Sequence, residues 1–248
     1  MKRFLLATMA AVALGAATPA SAADLGGRPY APAALIAPVY DWSGLYVGAN
    51  AGWGSSRSCW TADFFGSEGC HRATGLTLGG QVGYRWQVSS WVFGLEAQGN
   101  WADLKGSNDS LLFGGFANRS RVNAFGLLTA QVGYAVNNAL FYVKGGAAVT
   151  NNRFDVHTSS TGAPPNVLVA DTGGQTRWGA AVGLGVEYGF APNWSVAVEY
   201  DHLFMQARTS TFNTAGTLFP PGVFFGRDRI SQDVDIVTLR LNYRFASR

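Results

Sequence analysis

From Trp42 onward, hydrophobic and polar residues alternate along the chain in separate runs. Within each run every second residue is mostly apolar or aromatic, and the residues between are mostly polar or small. A period of two is the pattern of a β-strand that has one apolar face. We predict eight such strands, covering residues 42–53, 74–87, 91–101, 121–136, 140–150, 176–190, 194–202 and 235–245.

The segments between the predicted strands are alternately short and long. Residues 88–90, 137–139 and 191–193 form tight turns, and we predict long polar loops at 54–73, 102–120, 151–175 and 203–234. Short turns on one side and long loops on the other are typical of an up-and-down transmembrane β-barrel with both termini in the periplasm. A soluble sandwich or lipocalin-like barrel would not show this strict alternation.

The fourth predicted strand follows the alternation least cleanly. Its predicted outward side chains are Val122, Leu128, Val132 and Tyr134, and its predicted inward polar side chains are Asn123, Thr129 and Gln131. Phe125 and Leu127 share the inward parity although they are apolar.

Aromatic residues are concentrated at the ends of the predicted strands. Those beside the termini or the short turns are Trp42, Trp86, Trp91, Tyr134, Phe141, Phe190, Trp194, Tyr243 and Phe245; those near the opposite ends are Trp53, Trp101, Trp178 and Tyr200. Two rings of amphipathic aromatic side chains are favoured at the two interfaces of a membrane. The pattern therefore predicts an all-β fold, an eight-stranded antiparallel transmembrane barrel formed by residues 42–248.

Composition supports a surface that does not face water. Charged residues make up 13% of the chain, whereas a soluble domain usually has about 25%. The predicted mature region nevertheless has no run of about 18 apolar residues, which excludes a membrane-spanning helix. Alternation along β-strands accounts for both observations.

The first residues predict export. Lys2 and Arg3 precede a short apolar segment that ends in Ala20, Ser21 and Ala22, which is the pattern of a secretory signal peptide. We predict a signal peptide at 1–22 cleaved after Ala22, with Ala23 as second choice, and a Pro-rich periplasmic arm at 23–41. Cleavage lowers the net charge from +3 to 3 − 2 = +1, so the basic pI gives no indication of nucleic-acid binding.

Cys59 and Cys70 lie close together in one polar segment. In an oxidising compartment such a pair most simply forms a disulfide that closes one loop. The alternative is a zinc site with the adjacent His71, but no second histidine lies nearby, so we predict neither metal nor cofactor.

Seven charged side chains have inward parity in the predicted barrel: Arg85, Glu96, Lys144, Glu187, Glu199, Arg240 and Arg244. Side chains fill the interior of an eight-stranded barrel, and opposite charges enclosed there would form ion pairs. We expect Glu199 and Arg240, on neighbouring strands, to meet. The principal interpretation is a structural component of the envelope with a filled lumen, and the alternative is a narrow porin for small solutes.

An enzyme that modifies lipid at the outer leaflet, or a ligand-binding surface protein, is a further alternative. Such chemistry needs a histidine beside a hydroxyl nucleophile and a carboxylate. His202 follows Asp201 near the extracellular end of its strand, but no serine follows two positions later. We therefore predict that the protein is not an enzyme.

Two segments resemble a known family. Residues 39–54, VYDWSGLYVGANAGWG, and 237–245, VTLRLNYRF, are similar to the first and last strands of the RopB-type small outer-membrane proteins of α-proteobacteria. The resemblance implies an abundant envelope component of the Gram-negative outer membrane, often described as a porin. We also predict contact with outer-membrane lipid and lipopolysaccharide and recognition of the last strand by the barrel-assembly machinery.

Overall fold

The computed structural model describes residues 40–62, 66–112, 114–160 and 164–245, which form eight antiparallel strands in a closed ring. Their bounds are β1 (Gly44–Ala62), β2 (Gly66–Val88), β3 (Trp91–Asp109), β4 (Phe116–Val136), β5 (Ala139–Thr158), β6 (Leu168–Ala191), β7 (Trp194–Thr214) and β8 (Phe224–Arg244). Each strand pairs with its neighbours in sequence, and β8 pairs with β1. The predicted eight-stranded up-and-down barrel is therefore confirmed.

The predicted signal peptide and nearly all of the predicted arm lie outside the described residues. In the part of the chain that is described, no helix has the length and apolar character needed to cross a membrane.

Three two-residue turns join strands at one end of the barrel, which we call the turn end. Residues 89–90 connect β2 to β3, residues 137–138 connect β4 to β5, and residues 192–193 connect β6 to β7. Ser89 and Asn137 adopt positive φ angles of 57° and 53°, a conformation that asparagine tolerates better than most residues. The other end, which we call the loop end, has connections at 63–65, 110–115, 159–167 and 215–223.

The strands extend much further toward the loop end than predicted. They contain 19 to 24 residues, and the ladder between β1 and β2 continues to Ala62 and Gly66. The four long loops predicted at 54–73, 102–120, 151–175 and 203–234 are therefore wrong, because most of each segment is strand.

This error has a physical cause, which is that the two faces of the sheet exchange polarity part-way along the strands. Toward the turn end, the outward Leu239 is 59% exposed and the inward Arg240 is 1% exposed. Toward the loop end, the outward residue is the exposed Arg229 and the inward one is the fully buried Ile230. The alternation with a period of two continues through the strand, but the apolar residues move from the outer face to the inner face. In the sequence, this change of face interrupts the pattern and resembles the end of the strand.

Outward aromatic side chains form rings at both ends of the apolar band, with one exception. Trp42 was assigned to the ring at the turn end, but it is 1% exposed and lies inside the barrel. It packs with Tyr40, Leu140 and Tyr142 in a cluster that fills the turn end of the interior. Trp42 shares the parity of the inward residues of β1, so the alternation predicts that it lies inside the barrel. Its place near the strand end had suggested the aromatic ring instead.

A β-bulge in β4 corrects two predicted orientations. Asn123 has no partner in the β4–β5 ladder, whose register shifts between Val122 and Ala124. One inserted residue moves the preceding side chains to the opposite face. Val122 is therefore inward and 1% exposed, whereas Asn123 is outward and exposed. The predicted orientations of the rest of the strand, including the inward Phe125 and Leu127, agree with the structure.

The interior is filled in layers. The apolar cluster at the turn end is followed by a charged and polar layer and then by two further apolar clusters. The middle apolar cluster includes Leu104, Phe125, Leu203, Met205 and Ile236. The cluster nearest the loop end consists of Trp60, Phe154, Val156, Ala170, Phe212 and Ile230.

Candidate functional site

The charged layer is a network of ion pairs around Arg240. One terminal nitrogen of the Arg240 guanidinium contacts Glu199 on β7, and the other contacts Glu96 on β3. Lys144 on β5 places its Nζ 2.6 Å from Glu199 Oε1 and 3.5 Å from Glu96 Oε1. The same Nζ is 3.2 Å from Asp201 Oδ1. All five side chains are at most 1% exposed, so the network connects four strands in an enclosed space.

Two tyrosines complete the network as hydrogen-bond donors. The Tyr46 hydroxyl donates to Glu96 Oε2 at 2.6 Å, and the Tyr142 hydroxyl donates to Glu199 Oε2 at 2.7 Å. Both rings need space that two glycines provide. A Cβ on Gly83 would lie 2.5 Å from the Tyr46 hydroxyl oxygen, and one on Gly185 would lie 2.5 Å from the Tyr142 hydroxyl oxygen.

A second ion pair lies nearer the turn end. Arg85 Nη2 is 2.8 Å from Glu187 Oε2, with both side chains nearly fully buried. Glu187 Oε1 also accepts hydrogen bonds from Ser195 Oγ and, at 2.9 Å, from Asn242 Nδ2. The Arg85 guanidinium stacks on the Tyr46 ring, with its carbon 4.3 Å from the ring centroid. This contact links the two groups of charges.

The structure brings together six of the seven charged residues selected from the sequence. Arg244 instead lies at the rim of the turn end, where it donates to the backbone carbonyls of Ser43 and Pro192. Asp201 has the same inward parity as Glu199 but was not included among the predicted lumen charges. The hydroxyls of Tyr46 and Tyr142 were also missed, although both residues have inward parity.

The charges of this layer lie close to charges of opposite sign. Two bases, Lys144 and Arg240, are shared among three carboxyl groups, so each of these groups lies beside an opposite charge. A buried charge that loses its partner costs about 3–5 kcal/mol. Apolar side chains lie on both sides of this layer. Opening a path for water would therefore require separating paired charges and disrupting packed apolar clusters.

Cys59 and Cys70 are joined by a disulfide, but its setting differs from the predicted loop. The two residues are directly opposite each other in the β1–β2 ladder, with their Cα atoms 4.1 Å apart. His71 points into the barrel, away from the disulfide, where its ring nitrogens contact Asn108 Oδ1 at 2.6 Å and Ser120 Oγ at 2.9 Å. Burial lowers the pKa of His71 from its usual value.

His202 lies on the outer surface, beside a carboxylate that was not anticipated. Its Nδ1 is 2.7 Å from Asp235 Oδ1, and the Tyr200 hydroxyl donates to the same oxygen at 2.6 Å. Ser55 pairs with Asp235 on the other side in the β1–β8 register, so the carboxylate lies between the histidine and the serine. This order differs from that of a serine-hydrolase triad, in which the histidine lies between the serine and the carboxylate.

A closed ring of eight strands with an outward apolar band between two aromatic rings defines an outer-membrane type of β-barrel. Residues 7–245 match the family model described as outer membrane protein beta-barrel domain, and the chain belongs to this family. It is located in the outer membrane of a Gram-negative bacterium.

Similar proteins include two from Brucella. The 31 kDa outer-membrane immunogenic protein of Brucella melitensis is 30% identical, with 81% of this chain and 85% of that protein covered. The 25 kDa outer-membrane immunogenic protein of Brucella canis is 26% identical, with 77% and 78% covered. Among solved structures, the outer membrane protein OprG of Pseudomonas aeruginosa has a TM-score of 0.50 at 14% identity, with 83% of this chain and 97% of that chain covered. The resemblance to small outer-membrane barrels of α-proteobacteria is confirmed.

Proposed function

We propose that the protein is a structural component of the outer membrane whose lumen does not conduct ions. The observation that carries this proposal is the position of Arg240, which contacts Glu199 and Glu96 at the same time. These carboxylates come from β7 and β3, so the guanidinium reaches across the lumen, where it would block the passage of ions. The barrel would then contribute an anchored, lipid-embedded wall rather than a path for solutes.

The contacts of His202 support a role without catalysis. Its cross-strand neighbours are Asp235 and Val182, and Phe204 packs against its ring at 4.3 Å between centroids. None of these residues supplies a hydroxyl nucleophile. The His202–Asp235 contact more simply stabilises the pairing of β7 with β8 near the outer aromatic ring.

Single-channel recording in planar bilayers tests the proposal. The folded protein should insert without producing steady open events, while a general porin inserted in the same bilayer provides the positive control. Folding of the silent protein should be verified by its faster migration on an unheated gel than on a heated one. A steady open conductance would overturn the proposal in favour of the narrow porin.

A variant makes this test sharper. Arg240→Gln removes the charge that lies across the lumen and leaves a shorter, neutral polar side chain in its place. If the native protein conducts through this layer, the variant should change the reversal potential in a salt gradient. A silent native protein and a silent variant together support a sealed lumen.

A further inference from the structure

A group of basic side chains lies on the outer surface of β1 to β5, beyond the outer aromatic ring. Its members, which we call the basic belt, are Arg57, Arg72, Lys105, Arg121 and Arg153, all exposed except the half-buried Arg121. Arg57 and Lys105 each follow a tryptophan of that ring, Trp53 or Trp101, by four residues. Four residues of a strand tilted by about 45° rise by roughly 9 Å. The belt therefore lies at the level of the outer-leaflet headgroups.

The strand register brings like charges together within the belt. Arg57 is directly opposite Arg72, Lys105 is opposite Arg121, and Arg121 is opposite Arg153. Like charges directly opposite each other destabilise a sheet. Three such pairs on one face are unfavourable unless anions neutralise them.

Carboxylates of the protein neutralise only part of the belt. Lys105 Nζ is 2.8 Å from Asp103 Oδ1, and Arg153 contacts Asp155 and Asp171, each at 3.1 Å. Arg57 is opposite Asp233 in the β1–β8 register. In the described ranges of the chain, no carboxylate oxygen lies within 4.0 Å of Arg72 or Arg121. Asp235 interacts with Arg72 only at longer range, so these two guanidinium groups are the part of the belt that most needs an external anion.

An open cleft lies beside these groups on β3 and β4. It has a volume of about 270 Å³ and is lined by Lys105, Gly106, Ser107, Arg119, Ser120 and Arg121. Three of the lining residues are cations and none is acidic. The volume is just below the range of small-ligand sites, which begins at about 300 Å³, so the cleft has room for one small anionic group.

We propose that Arg72, Lys105 and Arg121 form a binding site for the phosphate groups of lipopolysaccharide. Guanidinium groups bind phosphate through paired hydrogen bonds, and lipopolysaccharide presents its phosphates at the depth of the belt. On β8, the strand next to β1, Asp233 and Asp235 lie among the cations, and Asp233 is opposite Arg57, so the site is assigned to the face formed by β2 to β4. The proposal rests on the membrane location and not on whether the lumen conducts.

Native mass spectrometry of the protein extracted from outer membranes tests this site with two probes, bisphosphorylated lipid A and dephosphorylated lipid A. The native protein should bind the phosphorylated form more tightly. Each basic residue at an anionic membrane surface strengthens binding about fivefold, so Arg72→Gln combined with Arg121→Gln should weaken it about 25-fold. Arg208→Gln combined with Arg229→Gln removes the same charge from β7 and β8 and should have little effect.

Three results would overturn the proposal: equal binding of both probes, equal losses in the two double variants, or full competition by inorganic phosphate at millimolar concentration. The last result would assign the site to a free anion instead of a lipid. Folding of each variant is verified by its mobility on an unheated gel. If the double variant does not fold, Lys105→Gln alone should still weaken binding of phosphorylated lipid A about fivefold.

Discussion

Arg240 and Glu199 form an ion pair on adjacent strands, although they are not opposite each other in the β7–β8 register. Glu199 pairs with Thr238, and Arg240 pairs with Ala197. The guanidinium reaches diagonally to the carboxylate and also contacts Glu96 on β3, and none of the three side chains is more than 1% exposed. The pair therefore belongs to a connection across the lumen and not only to one between neighbouring strands.

Breaking this pair from either side should destabilise the barrel. Glu199→Gln and Arg240→Leu should each lower the free energy of unfolding by about 3–5 kcal/mol, because each leaves a buried charge with fewer partners. The double variant should lose less than the sum of the two, which is the sign of direct contact. Recovery should be partial, since Lys144 and Glu96 also lose a partner. Urea unfolding in lipid vesicles measures all three variants.

An exposed ion pair provides the matched control. Lys105 and Asp103 are 2.8 Å apart with side chains 59% and 69% exposed, and Asp103→Asn should change the stability by no more than about 1 kcal/mol. If the lumen variants unfold like the native protein yet shift the reversal potential, the lumen is a water-filled pore.

The alternation of the sequence predicted which face each membrane-level side chain occupies, and therefore most of the charged layer. It could not predict that Arg240 reaches Glu96, because contacts across a lumen depend on the stagger of the whole ring. The inserted Asn123 was likewise invisible, since a bulge shows only as an imperfect alternation. The extension of the strands toward the loop end was missed because the apolar residues change face there. In β8 this change occurs at two adjacent apolar residues, Ile236, which faces the interior, and Val237, which faces the outer surface.

The disulfide should stabilise the loop end of the β1–β2 ladder. We expected it to act on a loop outside the ladder, but Cys59 and Cys70 are paired within it. Closing this short segment should contribute about 2–3 kcal/mol on the chain-entropy estimate. Reduction should therefore accelerate amide hydrogen exchange in residues 56–62 and 66–72 while leaving residues 45–53 unchanged, and Cys59→Ser with Cys70→Ser should match the reduced protein. Two reactive thiols in the unreduced, unfolded protein would contradict the disulfide.

Acid should loosen the loop end through His71. Because burial lowers the pKa of His71, the unfolded state binds more protons than the folded state below the usual histidine pKa of about 6.5. The stability that comes from burying neutral His71 is therefore complete above that pH and is lost as the pH falls below it. Amide hydrogen exchange of β1 and β2 near the loop end should therefore become faster as the pH falls. In His71→Gln this acceleration by acid should be smaller. Burial also lowers the pKa of His157, so His157 should account for the pH dependence that remains in this variant. An unchanged pH dependence in His71→Gln would contradict this assignment.

The aromatic cluster near the loop end should hold the strands together beyond the membrane. Trp60 is fully buried, and its ring packs against Phe212 and Phe154 at centroid distances of 5.3 and 5.7 Å. Trp60→Ala should lower the free energy of unfolding of this region by about 3–5 kcal/mol, because the space it leaves cannot close completely. Protease added to intact cells should then cut the variant near the loop end but leave the native protein whole.

The membrane part of the same variant should remain folded, because its apolar band and charged layer are unchanged. The cleaved barrel should stay in the membrane fraction and migrate faster on an unheated gel than on a heated one. Trp53→Ala is the control, since Trp53 is 54% exposed on the outer surface and its removal leaves the interior intact. If Trp60→Ala cells resist protease as well as native cells do, the extended strands are stabilised by their backbone ladder and disulfide rather than by the aromatic cluster.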